Sequence, residues 1–269
     1  MTLRGAVLGA PIEHSLSPLL HREAFKFLGL EGNYDRVLVE KDSLKSFFES
    51  NKENFDYFSI TMPLKEEALD LDVIVDTSAR LVQSANTLYQ REGAWHLTTT
   101  DGIGFVAALK AAGYSTFKSV LILGAGGTAR ALVGALDSIT EKITVLGRTS
   151  TRREVLEQAV TKSEFEYQRW NENPGFQNYD LVINTTPAGA ADLLADSLFD
   201  RDCALLFDVI YKPWPTVLAA RWADSGGTVI NGSEMLLFQG IAQLGLVLGR
   251  ELDSIALADH LRPLLKAAL

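Results

Sequence analysis

Apolar and β-branched runs alternate along this chain with stretches whose apolar residues recur at helical spacing, and the alternation runs through twice. In the first pass, strands are expected at Gly5–Leu8, Tyr34–Val39 and Tyr57–Met62, with helices opening near Ser17-Pro18 and from about Asp42. A hairpin follows, with Thr87–Gln90 and Trp95–Thr98 flanking Glu92-Gly93, and then a helix from Gly104 to Ala112. The second pass gives strands at Val120–Leu123, Ile143–Leu146, Leu181–Asn184 and Leu205–Val209, and helices over Thr128–Leu136 and from about Arg152. An apolar helix from about Met235 and a last helix from about Ser254 follow. Such alternation implies βαβ units and mostly parallel sheets. The expected fold is therefore α/β, with two α/β domains split near residue 101.

Composition narrows the class. With 269 residues, 47% of them hydrophobic and 22% charged, the chain can bury one large core or two modest ones. A formal net charge of −9 without a dense Lys/Arg cluster excludes nucleic acid as a partner. An anionic ligand has to be held by local charge or backbone dipoles. The single cysteine, Cys203, cannot form an intrachain disulfide and reads as a buried free thiol beside Ala204–Phe207, which suits a reducing cytoplasm. Met1–Val7 leads directly into a strand and lacks the features of a signal peptide. Met235–Leu248 contains Gln239 and Gln243 and is too short to span a bilayer, so it is expected as a buried helix and no membrane partner is expected. No metal site is expected, and the sequence leaves a monomer or a homodimer open.

The most specific local signal is Gly124-Ala125-Gly126-Gly127-Thr128-Ala129, a G-x-G-x-x-G/A pattern directly after a strand and opening a helix. A side chain in this turn would block close approach of a diphosphate, and the helix amides and dipole can hold one. The C-terminal domain is thus expected to be a Rossmann-type dinucleotide-binding domain. An NAD site usually carries an acid some twenty residues further on, but this chain reads Leu146-Gly147-Arg148-Thr149-Ser150-Thr151-Arg152-Arg153. An acid is absent and three arginines are present. A guanidinium can pair with a 2′-phosphate, which points to NADP(H); the alternative is that Arg152 and Arg153 merely decorate a solvated first turn, a reading that suits Arg153 better than Arg148.

Four segments of the first domain are more polar than packing requires. Gly9–Pro18 places Ser15 and Ser17 between a strand end and a helix start, and on spacing alone Ser17 reads as an N-cap with Pro18 at the first helical position. Ser59–Lys65 ends a strand with Thr61 and offers Lys65 after a proline-fixed turn. Ser84–Thr87 adds the amide of Asn86, and Thr98–Gly102 adds the carboxylate of Asp101.

Together these segments resemble the shikimate/quinate dehydrogenase family over nearly the whole chain. The resemblance is carried by HSLSP (His14–Pro18), T-x-P-x-K (Thr61–Lys65), ANTL (Ala85–Leu88), T-D-x-x-G (Thr100–Gly104) and GAGG (Gly124–Gly127). Arg148-Thr149, I-N-T-T (Ile183–Thr186), Asp208–Tyr211 and Gly232 through Met235-Leu236 to Gln239 extend it. It implies reversible, NADPH-dependent reduction of 3-dehydroshikimate in chorismate and aromatic amino acid biosynthesis, with an active-site cleft between the two domains. Lys65 and Asp101 are implied as the catalytic pair. Ser15, Ser17 and Tyr211 would hold the substrate carboxylate, and Thr61, Asn86, Asp101 and Gln239 its ring hydroxyls. On the cofactor side it implies Arg148, Thr149, Arg152, Thr185, Thr186, Val209, Gly232 and Met235 beside the Gly124–Ala129 turn. It also implies that the last helices return to the first domain, giving 1–101 plus about 236–269 for substrate and 102–235 for NADP.

The chemistry suits these residue types. Hydride delivery to a ketone builds an alkoxide, and a lysine ammonium can supply its proton while a carboxylate orients the ammonium. The sequence departs from the family pattern at Ser59, Thr99, Arg22 and Gly147, where Asn is usual, and none of these removes the acid, base or phosphate ligand. The competing expectations are an NAD-using quinate/shikimate dehydrogenase and a non-catalytic NADP(H)-binding regulatory module.

Overall fold

A computed structural model describes residues 2–170, 175–198 and 205–269; Cys203, expected as a buried thiol, lies outside them. The chain divides into two compact units, Met1–Gly104 with Leu236–Ala268, and Phe105–Met235 with Leu269.

The first unit contains β1 (Leu3–Gly9), α1 (Ser17–Phe27), β2 (Gly32–Leu38), α2 (Leu44–Asn51), β3 (Tyr57–Ile60), β4 (Ile74–Val75), α3 (Thr77–Val82), β5 (Thr87–Arg91) and β6 (Ala94–Thr98). It also contains the start of α4 (Asp101–Ala111). The described strands are ordered β2-β1-β3-β5-β6-β4. This sheet is mostly parallel, as expected, with β5 of the hairpin running antiparallel to both of its neighbours, β3 and β6. Glu92 and Gly93 both take positive φ (52° and 79°), the backbone that a tight two-residue hairpin turn requires. Ala6, Leu8, Phe58, Ile60, Leu88 and Leu97 share one core cluster.

Two helix starts differ from expectation. Leu16, not Ser17, occupies the N-cap of α1 and makes no side-chain cap; Ser15 Oγ instead accepts from the Ser17 N–H at 3.3 Å. Helix α4 begins at Asp101 rather than Gly104, because Gly104 already donates to the Thr100 carbonyl at 2.9 Å.

The second unit follows through β7 (Phe117–Leu123), α5 (Gly127–Leu136), β8 (Thr140–Gly147), α6 (Arg153–Gln158), β9 (Glu164–Arg169), β10 (Leu181–Asn184), β11 (Leu205–Asp208), α7 (Val217–Asp224) and β12 (Val229–Asn231). Its described strands are all parallel and ordered β12-β11-β10-β7-β8-β9. Numbered within the unit, this is the 3-2-1-4-5-6 order of a doubly wound sheet, whose chain reverses direction between β7 and β10. Leu121, Leu123, Val182 and Leu206 line its core beside Trp222 of α7. Helix α8 (Gly232–Leu248) then leads back to the first unit, which α9 (Ser254–Ala267) completes. Among the described residues no helix is long and apolar enough to cross a membrane.

One polar cluster is buried in the first unit. His21 of α1 stacks on Tyr34 at 4.1 Å between ring centroids, and its Nδ1 lies 2.8 Å from the Tyr57 hydroxyl. Burial pulls the His21 imidazole down to about 3, an effect that the neighbouring Gln243 side chain opposes only in part, and among the described residues Nε2 has no hydrogen-bond partner. The neutral ring is thus a condition of folding. In the unfolded chain His21 binds a proton below pH 6.5, whereas the folded state refuses it until about pH 3, so this contribution is complete above pH 6.5 and lost on acidification. Between pH 7 and 5 the loss should reach about 2 kcal/mol. Urea unfolding of the wild type and His21→Leu checks this: the variant should be less stable at pH 7 and show a flatter dependence down to pH 5.

Candidate active site

The topology of the first sheet collects the polar segments along one edge. β1 and β3 are parallel, so the segments that follow them, carrying Ser15, Ser17 and Thr61, leave at the same edge. Antiparallel β5 starts there, directly after Asn86, and β6 ends there, directly before Thr99–Asp101. Backbone bonds lace these segments together. Thr61 N–H donates to the Leu8 carbonyl at 2.9 Å, Ile60 N–H to that of Asn86 at 2.8 Å, and Ala85 N–H to that of Lys65 at 2.9 Å. Ser15 and Ser17 are buried, and Arg36 of β2 holds the Ser15 carbonyl with two donors at 2.9 and 2.6 Å.

Four of the expected residues bond directly to one another. Lys65 Nζ donates to Asp101 Oδ2, with side-chain exposures of 15% and 5% that shield the pair from solvent. The other carboxylate oxygen, Oδ1, accepts from Asn86 Nδ2 at 2.8 Å, and Gln239 Oε1 lies 3.2 Å from the same amide. Asn86 Oδ1 in turn accepts from the Thr100 N–H at 2.8 Å and the Thr87 hydroxyl at 2.7 Å. Asp101 is therefore fixed from both sides, and the ammonium is aimed by a carboxylate that cannot rotate away.

A second layer lies behind these residues, built from side chains that no local pattern marks as functional. Gln243 sits one turn beyond Gln239 on α8. It accepts from Ser59 Oγ at 2.6 Å and donates to the Asn86 carbonyl at 3.1 Å. Ser59 accepts from the Tyr34 hydroxyl at 2.5 Å, and burial raises the Tyr34 phenol's pKa so that it remains a donor. Serine in place of asparagine at 59 is thus accommodated by Tyr34 and Gln243. Among the described residues the Thr99 hydroxyl is buried without a partner, and Arg22 makes an exposed ion pair with Asp35 at 2.7 Å. The i, i+4 spacing of Gln239 and Gln243 was the one available signal, because two amides on one face of an apolar helix need buried partners.

Tyr211 belongs to the second unit, as do the residues expected around a dinucleotide. Gly124 follows β7 with φ of +102°, and a Cβ there would lie 2.7 Å from Thr185 Oγ1, so the turn after β7 meets the end of β10 at the direction reversal. Thr185 donates to the Leu123 carbonyl through both N–H (2.9 Å) and hydroxyl (2.7 Å). Gly126 occupies the N-cap of α5 and makes no side-chain cap bond, so the glycine turn leads directly into the positive end of that helix's dipole. Arg152 Nη1 reaches the Ala125 carbonyl at 3.3 Å, while Arg148 is exposed at the end of β8. Thr186 is held by Asn184 Oδ1 through N–H (3.1 Å) and hydroxyl (2.7 Å). Asn184 donates to Asp208 Oδ1 at 3.1 Å, and that oxygen also accepts from the Ile210 N–H at 3.1 Å. Burial raises the Asp208 pKa, with the Thr216 hydroxyl (2.6 Å) among the bonds that oppose the shift. Val209 and Gly232 are in backbone contact: a Cβ on Gly232 would lie 2.1 Å from the Val209 carbonyl oxygen. The glycine turn, the helix start that follows it and the arginines fit a phosphate-bearing dinucleotide. Among the described residues no cluster could hold a metal ion.

A doubly wound parallel unit joined to a mixed α/β unit with a buried lysine–carboxylate pair defines a class of two-domain oxidoreductases. Residues 7–88 match the family model for the shikimate dehydrogenase substrate binding domain, and residues 107–201 match that for shikimate/quinate 5-dehydrogenase. The chain belongs to the shikimate dehydrogenase family. It is 32% identical over 272 residues to a shikimate dehydrogenase (NADP(+)) of Crocosphaera subtropica, covering 95% of this chain and 94% of that one. The crystal structure of Mycobacterium tuberculosis shikimate dehydrogenase is similar with a TM-score of 0.86 and 32% identity, over 97% of this chain and 99% of that one. That of the Thermus thermophilus shikimate 5-dehydrogenase in complex with NADP(H) and shikimate gives a TM-score of 0.84 and 30% identity, over 99% and 100% of the two chains.

Proposed function

We propose that this chain is an NADP-dependent shikimate dehydrogenase, reversibly reducing 3-dehydroshikimate to shikimate within chorismate and aromatic amino acid biosynthesis in the cytoplasm. The observation that carries this reading is the shielded Lys65–Asp101 pair, held by Asn86 at the sheet edge of the unit that matches a substrate-binding family model. Ser15, Ser17, Thr61, Asn86, Asp101 and Gln239 of the first unit bind the substrate with Tyr211 of the second: Ser15, Ser17 and Tyr211 take its carboxylate, and Thr61, Asn86, Asp101 and Gln239 its ring hydroxyls. The second unit binds NADP(H), with the diphosphate on the Gly124–Ala129 turn and the 2′-phosphate at Arg148, Thr149 and Arg152. Thr185, Thr186, Val209, Gly232 and Met235 take the rest of the cofactor.

NADPH, when bound, supplies the hydride. As the carbonyl oxygen gains negative charge, Lys65 Nζ donates a proton to it, and in the reverse direction the neutral amine removes the hydroxyl proton. Asp101 Oδ2 keeps Nζ directed at that oxygen, and Asn86 keeps Asp101 in place. Following absorbance at the reduced-nicotinamide band with shikimate or quinate, and with NADP or NAD, tests this assignment. Turnover should be fastest with shikimate and NADP; no turnover with any pair would leave a non-catalytic binding protein.

Arg148→Ala should raise the KM for NADP about tenfold or more while changing that for NAD much less, because a charge-assisted bond to the 2′-phosphate is lost. Equal changes would place 2′-phosphate recognition elsewhere.

A further inference from the structure

A doubly wound sheet meets the adenosine ribose with the side chain that ends its second strand. In this chain that strand is β8, and the residue is Gly147, which has no side chain to offer. Its volume is nevertheless filled. A Cβ at residue 147 would lie 1.9 Å from the Tyr167 hydroxyl oxygen and 2.6 Å from the adjacent ring carbon. Tyr167 stands on the neighbouring edge strand β9, opposite Val145, and its ring runs alongside β8 past Gly147.

The phenol then donates to the Thr149 carbonyl at 2.5 Å. A trans peptide points its C=O and N–H in opposite directions, so anchoring that carbonyl turns the Ser150 N–H away from Tyr167. It also fixes the backbone on which the Arg148 and Thr149 side chains are mounted. Partial burial raises the phenol's pKa against the opposing charge of Arg152, so the hydroxyl stays protonated at neutral pH. Arg152 thus lies close enough to Tyr167 to be felt electrostatically while its guanidinium reaches the Ala125 carbonyl of the glycine turn. Tyr167 therefore braces the loop that carries the arginines, from the space Gly147 leaves open.

We propose that Tyr167 is a positioning residue for recognition of the cofactor's 2′-phosphate, holding Arg148 and Thr149 through the Thr149 carbonyl, and that Gly147 is required to admit its hydroxyl. This inference rests on the NADP reading above and adds the residue that makes the preference possible.

Calorimetric titration tests it with four probes: NADPH, NADH, 2′,5′-ADP and 5′-ADP. Tyr167→Phe, which removes only the hydroxyl, should raise the Kd for NADPH and 2′,5′-ADP about fivefold to tenfold and change those for NADH and 5′-ADP less than about twofold. Gly147→Ala should reproduce this loss in the wild type by displacing the hydroxyl. In a Tyr167→Val background it should add nothing, because the obstructing ring is gone. Loss of affinity shared equally by all four probes, or a lowered Tm with the NADPH/NADH ratio intact, would make Tyr167 a structural brace and overturn the inference. A wild-type protein that binds NADH as tightly as NADPH would overturn the NADP reading itself, and this inference with it.

Discussion

Lys65→Ala is expected to lower turnover about a thousandfold, within the range for removal of a positioned general acid, while leaving the Kd for NADPH within about twofold. The residues proposed for the cofactor all belong to the second unit, whereas Lys65 and its partners belong to the first. Removing the ammonium also leaves a carboxylate that is only 5% exposed, with Asn86 still donating to it but its cation gone. Some loss of Tm should therefore accompany the loss of turnover. Lys65→Arg separates the two effects: a guanidinium keeps the positive charge beside Asp101 but cannot act as the neutral base in the oxidative direction. The arginine variant should regain most of the Tm and little of the rate. Turnover near normal in either variant would remove Lys65 from the chemistry.

Local features were the legible ones. The Gly124 turn could be read because its glycines follow a continuous apolar strand and open a helix, and the structure gives Gly124 the positive φ that such a turn needs. The hairpin at Glu92-Gly93 was visible for a similar reason. Lys65 and Asp101 lie 36 positions apart, and nothing in their individual contexts joins them; the family motifs did so before the geometry. What stayed hidden depends on pairing across the fold. β9 reads Glu-Phe-Glu-Tyr-Gln-Arg, too charged to suggest a strand by itself. Its acids make sense only beside β8, where Lys142 pairs with Glu164 and Glu166, each at 2.9 Å. The role of Tyr167 is hidden in the same way, since it appears only when β9 is laid against Gly147. Helices α3 and α7 are one or two turns long and are set by their caps, Asp76 accepting from Ala79 and Thr216 from Ala219. The Ser59–Gln243 bond spans 184 positions and answers to no local pattern.

Gly104 shows how a contact of this long-range kind can govern chemistry, and Gly104→Ala is the second large effect expected. A Cβ at residue 104 would lie 2.5 Å from the Gln239 backbone nitrogen and 2.7 Å from its Cα. At Gly147 the obstacle is the tip of a side chain, which can move; here it is the backbone of α8, so α4 and α8 have to separate. Overpacking of this kind costs about 1–3 kcal/mol, and the Tm should fall by several degrees. The functional loss should be larger than the stability loss. Asp101 lies one turn before Gly104 on α4, Gln239 lies on α8, and both meet the Asn86 amide, at 2.8 and 3.2 Å. Separating the helices pulls that amide's two partners apart, and displacements of about 1 Å at such groups can cost on the order of a hundredfold in rate. Steady-state kinetics should show kcat/KM for shikimate reduced at least about tenfold with the Kd for NADPH unchanged. A variant with a lowered Tm but intact kcat/KM would mean that the Asp101–Asn86–Gln239 geometry tolerates movement of its helices, and that the Lys65–Asp101 pair is aimed by the β-sheet edge alone.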